Sequence, residues 1–188
     1  MNGSAPAAIN AGDTAWLLVS AALVFLMCPG LAFFYSGLVR RKNTLNTLMM
    51  TYVAMGIGAI LWMAAGYSLA FSRGSAFLGS LKWIGLSGVG AAPEPDYAAT
   101  VPHLAYFVFQ GMFATITPAL ISGAIVERMS FRAYVLFIGL WSLVVYAPVA
   151  HWVWGTGGFL RGWGATVADM YGLGQGRLGE CFQIMDLG

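Results

Sequence analysis

Three aromatic residues are the side chains of this sequence best suited to contact a small ligand: Phe109, Phe113 and Trp154. Phe109 and Phe113 are four residues apart in an apolar stretch, so on a helix they lie on one face, one above the other. Two such rings can floor an apolar pocket or line a narrow path. Aromatic pairs at this spacing are more often core packing. Taken alone, the pair therefore favours core packing over a ligand site. Other features of the chain are needed to decide between the two.

A ligand that suits aromatic faces at a membrane surface is a small cation. The quadrupole of an indole or phenyl ring attracts a cation by roughly 0.5–2 kcal/mol per contact. That is far less than the cost of dehydrating the cation in an apolar path. An aromatic set therefore attracts a cation without carrying it across as a charge. Transfer requires a carboxylate that offsets desolvation, or loss of a proton before the apolar stretch.

Common catalytic and metal-binding patterns are not found in the sequence, which has no phosphate-binding loop, no Gly-x-Ser-x-Gly and no His-Glu-x-x-His. His103 and His151 lie far apart near the ends of apolar stretches, where we expect each to bond to water or backbone. Cys28 and Cys181 lack the spacing of a metal or redox site. We therefore expect a protein that is not an enzyme, with no cofactor and no metal.

Composition points to the membrane. The chain of 188 residues is 59% hydrophobic and 9% charged, with a mean hydropathy of +0.75, whereas soluble domains carry about 25% charged residues. The fold class predicted is all-α, a polytopic membrane helix bundle with the lipid bilayer as a partner. The net charge is +2 and the basic run is confined to residues 40–42, so nucleic acid is not expected as a partner.

The chain divides into an external N-terminal segment (1–13), a membrane domain (14–154) and a glycine-rich divergent tail (155–188) that we expect to be loosely attached. We expect Asp13-Thr14 to cap the first helix, and Pro29 and Pro118 each to remove one backbone hydrogen bond. Four apolar stretches approach the roughly 20 residues that a membrane helix needs, at about 14–39, 44–71, 103–126 and 132–154.

Charge predicts the orientation. Two loops that lie on the same side of a four-span bundle share five cations, and the positive-inside rule places that side in the cytoplasm. The N-terminus is then outside, and Trp154 lies at the external face. The five cations are Arg40, Arg41, Lys42, Arg128 and Arg132.

Several motifs, in order, resemble the ammonium transporter (Amt/Rh) family on its Amt side. The resemblance covers about residues 10–165. The motifs are PGLAFFYSGLVRRKN at 29–43, FQGMFA at 109–114, TPALISGA at 117–124, ER at 127–128 and AHWVWG at 150–155.

The resemblance implies a fold of eleven membrane helices, in two five-helix halves of opposite orientation plus one, with this chain matching its first part. It implies a homotrimer with a pore in each subunit, a location in the cell membrane, and ammonium or ammonia as substrate. By motif position, Trp154 is similar to the vestibule tryptophan of that family. Phe113 is similar to the phenylalanine beneath the ion, and Phe109 to its partner in the gate.

The tail departs from the family pattern after Ala165. Family members continue into a segment like Asp-Phe-Ala-Gly-Gly that opens a fifth helix, and Asp169 does not lie in a matching motif, so it receives no role. We therefore expect a truncated chain that does not transport alone, with an out-of-frame or premature ending favoured over a divergent natural tail. In such a four-span piece, Gln110 and Thr117 are expected to lack hydrogen-bond partners.

Two alternatives remain open from the sequence. The first is a non-transporting membrane fragment that acts as an ammonium sensor or as an interaction subunit associated with full-length transporters. The second is a generic four-helix membrane protein, in which Trp154 and Phe113 tolerate leucine without loss of ammonium binding.

Overall fold

Four long helices form the molecule in the computed structural model, which describes residues 9–162. They are apolar and long enough to cross a membrane, so the predicted all-α membrane-bundle class is confirmed. Helix α1 is Ala11–Leu38 and α3 is His103–Ile125; α2 comprises Thr44–Leu61, Trp62–Gly66 and Tyr67–Phe71; α4 comprises Phe131–Trp141, Ser142–Tyr146 and Ala147–Trp154; and a short α5 is Phe159–Gly162.

The start of α1 differs from the prediction. Asn10 is the N-cap, and its side-chain oxygen accepts hydrogen bonds from the backbone N–H groups of Gly12 and Asp13. Asp13 lies in the first turn, where a carboxylate is favourable against the positive end of the helix dipole. The predicted cap at Asp13-Thr14 is wrong because Asn10, a strong capping residue, satisfies the first free N–H groups earlier in the chain.

Both prolines lie inside continuous helices. Helix α1 passes through Pro29 and α3 through Pro118, although neither proline can donate a backbone hydrogen bond. The departures from regular α-helix occur elsewhere, as π-helical turns at Trp62–Gly66 in α2 and Ser142–Tyr146 in α4. Nothing in the sequence predicted these two turns.

The helices alternate in direction, so the bundle has two distinct ends. At the long-loop end, formed by residues 9–10, 72–102 and 155–162, the Asn10 N–H donates to the Thr100 carbonyl at 2.8 Å. At the basic end, formed by residues 39–43 and 126–130, a carboxylate oxygen of Glu127 accepts from the Arg40 N–H at 3.2 Å and from the Asn43 side chain at 2.7 Å. The candidate aromatic residues belong to the long-loop half.

Helix α3 is the most buried of the four spans. It packs against α1 and α2, and α2 also packs against α4. Helix α1 instead presents much of its apolar surface outward, as expected of a helix in lipid. Trp16, Leu26 and Phe33 on α1 are 66%, 65% and 64% exposed.

The region beyond α4 is described only in part. Gly155 to Gly158 form a turn before α5, and the Phe159 N–H donates to the Ala76 carbonyl at 3.1 Å, which joins this segment to the long loop. The rest of the predicted glycine-rich tail, residues 163–188, lies outside the described residues.

Candidate functional site

Phe109 and Phe113 are in direct contact on one face of α3. Their ring centroids are 5.3 Å apart, with the planes at 78°, an edge-to-face arrangement that aromatic pairs prefer. Phe109 is 4% exposed and packs among Leu17 and Ala21 of α1. Phe113 is only partly buried against the same cluster. The Phe109 ring is therefore fixed by packing, whereas the Phe113 ring keeps an accessible surface.

Trp154 is the last residue of α4. It is partly buried and packs against a second cluster. That cluster consists largely of aromatic rings from α2, α3, α4 and the long loop, among them Trp62, Tyr67, Phe71, Tyr97, Tyr106 and Tyr146. The structure thus places Trp154 at the long-loop end, in a different cluster from Phe109.

The two clusters are adjacent rather than merged. Ala98 of the long loop packs against both of them. Tyr106 of the second cluster lies one turn before Gln110 on α3, and the Gln110 amide donates to the Tyr106 hydroxyl at 3.4 Å. The phenylalanine pair and Trp154 therefore share one end of the bundle but not one contact cluster.

The backbone at Trp154 is held by residues that sequence reasoning did not identify. Arg161 donates from Nη1 to the Trp154 carbonyl at 2.6 Å, and its guanidinium lies 5.7 Å from the Tyr97 ring centroid. The Tyr97 hydroxyl accepts from the Thr156 N–H at 2.8 Å and donates to the Phe71 carbonyl at 2.5 Å. No sequence signal pairs a loop tyrosine with a residue 59 positions later.

The carboxylate next to Tyr97 is already paired with a cation. Arg73 donates from Nε and Nη2 to the two oxygens of Asp96, at 2.7 and 2.5 Å. This hydrogen-bonded guanidinium holds the pKa of Asp96 below its usual range. Asp96 therefore stays ionised, but its charge is matched by Arg73 and offers little net attraction to a second cation.

The two histidines are buried rather than interfacial. His151 is fully buried, and its ring nitrogens face the carbonyls of Ala70 and Ser75, so the predicted bonding to backbone is confirmed. His103 instead bonds through Nε2 to the Tyr67 hydroxyl at 2.6 Å. For His103 the predicted water or backbone partner is wrong, because the folded chain brings the hydroxyl of Tyr67 on α2 to the start of α3.

The expectation that two polar residues of α3 lack partners is wrong. Gln110, which is 3% exposed, donates to Tyr106, and Thr117 donates to the Phe113 carbonyl at 2.7 Å. Both partners lie on α3 itself, so neither residue depends on a further helix. Within residues 9–162, no group of three or more His, Cys, Asp or Glu side chains is arranged to hold a metal ion.

Comparison with known proteins identifies the relatives of this bundle. The sequence profile of the Ammonium Transporter Family matches residues 15–174. An ammonium transporter of Bacillus subtilis is 51% identical over 146 residues, covering 78% of this chain and 36% of the relative. A putative ammonium transporter of Methanothermobacter thermautotrophicus is 51% identical over 158 residues, covering 83% of this chain and 38% of the relative.

A solved structure shares the fold. The crystal structure of Candida albicans Mep2 superposes with a TM-score of 0.77 and 37% identity, covering 84% of this chain and 34% of that one. The chain thus spans a little over a third of the length of the curated relatives it matches. With the family profile covering most of the sequence and the helical bundle matching a solved relative, the chain belongs to the ammonium transporter family.

Proposed function

We propose that this protein takes part in ammonium transport across the membrane, and that the described bundle supplies the entrance that recruits the ion. Trp154 and Phe113 would present aromatic faces to ammonium, and Phe109 would close the path with Phe113. The proposal is supported by family membership. The single observation that carries it is the contact of Phe109 and Phe113 on α3, at the same end of the bundle as Trp154.

The small energy of cation–π contacts limits this entrance to recruiting the ion. Two or three aromatic contacts at roughly 0.5–2 kcal/mol each favour ammonium at the surface, but they do not offset dehydration in an apolar interior. Asp96, the carboxylate beside Tyr97, is ionised and paired with Arg73. Deeper along α3, the hydroxyls of Thr115 and Thr117 donate to carbonyls of their own helix. These contacts therefore favour ammonium at the surface and oppose its passage beyond Phe113 as a charged ion.

Three further features belong to the same proposal. The protein would lie in the cell membrane with its N-terminus and the long-loop end outside, because the opposite end carries the five cations. It would assemble as a homotrimer or with longer subunits of the family. Its substrate would be moved rather than chemically converted, so it is not an enzyme.

Substitution of Trp154 by leucine tests ammonium binding directly. The 188-residue chain in lipid nanodiscs is titrated with ammonium chloride by calorimetry, with sodium chloride as the blank. Loss of one cation–π contact of about 0.5–2 kcal/mol weakens affinity about 2- to 30-fold. W16L is the matched control, because Trp16 is 66% exposed on the outward side of α1. Equal affinity of W154L and wild type would overturn the assignment.

Flux separates binding from transport. Liposomes that contain the 188-residue chain and a pH-sensitive dye receive an ammonium pulse. We expect the chain to bind ammonium without raising flux above that of empty liposomes. Transfer as ammonia needs a group that takes up the proton, and within residues 9–162 both histidines already bond to other groups of the chain at the long-loop end. Flux that disappears in W154L would contradict this expectation while supporting transport.

A further inference from the structure

His151 links α4 to the end of α2. Its imidazole is fully buried between two backbone carbonyls. Nδ1 lies 2.8 Å from the carbonyl oxygen of Ala70, and Nε2 lies 2.9 Å from that of Ser75. Ala70 belongs to the last turn of α2, whereas Ser75 belongs to the long loop. One side chain therefore joins α4 to a helix end and to a loop.

The Ala70 carbonyl is one that α2 itself leaves without a donor. Because α2 ends at Phe71, the carbonyls of its last turn have no N–H four residues further along the helix. A buried carbonyl without a donor is costly, and the N–H of an Nδ1-protonated imidazole satisfies it. A neutral imidazole carries one N–H, so in this tautomer Nε2 lies against the Ser75 carbonyl without donating to it. His151 thus acts as a cap for α2 that is supplied by α4.

The backbone around this contact is packed too closely for a side chain. A Cβ added at Gly155 would collide with Nδ1 of His151 and would lie 2.6 Å from the Ala70 carbonyl oxygen. A Cβ added at Gly158 would lie 2.7 Å from the Trp152 carbonyl oxygen and would also collide with the carbonyl of His151. The chain that leaves Trp154 therefore rests directly on the His151 contact.

We infer that His151 is the positioning residue for Trp154. The two residues are three positions apart, within the last turn of α4, and the Gly155 N–H closes that turn on the His151 carbonyl at 3.0 Å. Arg161 holds the Trp154 carbonyl from the other side. The bond to Ala70 is the one that sets the position, because Ala70 lies on a helix and Ser75 on a loop. The consequence for ammonium rests on the function proposed above.

Three variants separate the two bonds. H151F keeps a planar ring and removes both ring nitrogens. H151N keeps an amide nitrogen at the place of Nδ1, towards Ala70, whereas H151Q keeps one at the place of Nε2, towards Ser75. H103Q is the matched control, since His103 is a buried histidine at the same end that bonds to Tyr67 instead.

The readout is the position of the indole itself. The 188-residue chain is labelled with 5-fluorotryptophan in lipid nanodiscs, and the ¹⁹F resonance of Trp154 is assigned by its loss in W154F. We expect H151F and H151Q to shift or broaden that resonance, and H151N and H103Q to leave it in place. In a parallel titration, H151F and H151Q should weaken ammonium binding to the same extent as W154L, about 2- to 30-fold, and H151N should weaken it less than either.

Each outcome is decisive. An unchanged Trp154 resonance in H151Q overturns the inference, and this comparison stands even if H151F does not fold. A resonance displaced equally in H151N and H151Q also overturns it, because the Ala70 bond would then have no special part. If W154L binds ammonium normally, the proposed function fails, whereas the ¹⁹F comparison still tests whether His151 positions Trp154.

Discussion

At the scale of single residues, Tyr97 connects more parts of the long-loop end than any residue that the sequence suggested. Its hydroxyl donates to the Phe71 carbonyl and accepts from the Thr156 N–H. Its ring stacks on Tyr106 at 5.4 Å and lies beneath the Arg161 guanidinium. Burial raises the pKa of Tyr97, so the phenol keeps its proton and remains a donor at neutral pH.

Removing this hydroxyl should lower stability. Y97F leaves the Phe71 carbonyl and the Thr156 N–H without their partner, while the stacked ring remains. The cost of leaving such buried groups unsatisfied is about 1–3 kcal/mol. The measurement is unfolding by sodium dodecyl sulfate in mixed micelles, followed by tryptophan fluorescence. The control is Y52F, because Tyr52 is 42% exposed. Indistinguishable curves for Y97F and Y52F would contradict this account.

At the scale of elements, two helices approach each other closely at Gly58 of α2 and Ala114 of α3. Pro118 has no N–H to donate to the Ala114 carbonyl four residues earlier, and that carbonyl faces Gly58. A Cβ added at Gly58 would lie 2.9 Å from the Ala114 oxygen and 3.2 Å from the Thr115 Cα. The proline and the glycine thus act together to let two helices pack tightly.

Adding one methyl group tests this contact. G58A should destabilise the bundle by about 1–3 kcal/mol, because the new methyl group meets backbone atoms that cannot move independently. G56A is the matched control, since a Cβ added at Gly56 meets nothing within 4 Å. The difference between the two variants in the same detergent-unfolding assay isolates the helix contact. If G58A were as stable as G56A, the close packing would have no energetic role.

The π-helical turns are a second feature of this scale. Each inserts a wider turn in the middle of a span, and Trp62 at the start of one lies 6.0 Å, edge to face, from Tyr146 at the end of the other. Because a π-helical turn contains more residues than an α-helical turn, it rotates the side chains that follow it around the helix axis. Downstream of Tyr146 these include His151 and Trp154, so the turn in α4 contributes to the geometry of the candidate site.

At the scale of the whole molecule, the two ends differ in charge and in construction. The long-loop end contains the Arg73–Asp96 ion pair and the aromatic clusters. The basic end is joined by Glu127, which adopts the left-handed conformation with φ of 64°. Hydrogen bonding by Asn43 lowers the pKa of Glu127, so this link between the two short loops stays ionised at neutral pH.

Labelling from outside tests the proposed orientation. Ser87 in the long loop and Ser130 at the basic end are both exposed. In a background of C28S and C181S, a membrane-impermeant maleimide added to intact cells should label S87C. It should label S130C only after permeabilisation. The opposite pattern would place the N-terminus inside and Trp154 at the cytoplasmic face.

The sequence by itself determined the features that follow from local composition and spacing. Four runs of apolar residues are enough to predict four membrane helices, with boundaries within a few residues of those observed. A four-residue interval is enough to predict that Phe109 and Phe113 touch. Both depend only on the period of the helix and on the cost of exposing backbone in lipid.

Only the tertiary structure decided the features that depend on residues distant in the chain. Examples are the bond of His151 to Ala70, 81 positions away, and the bond of Tyr97 to Thr156. Such pairs need two helix ends and a loop to meet, and no periodicity encodes that meeting. The structure also placed Trp154 in a cluster separate from the phenylalanine pair. The type and number of the aromatic residues follow from the sequence, and their arrangement in two clusters follows from packing.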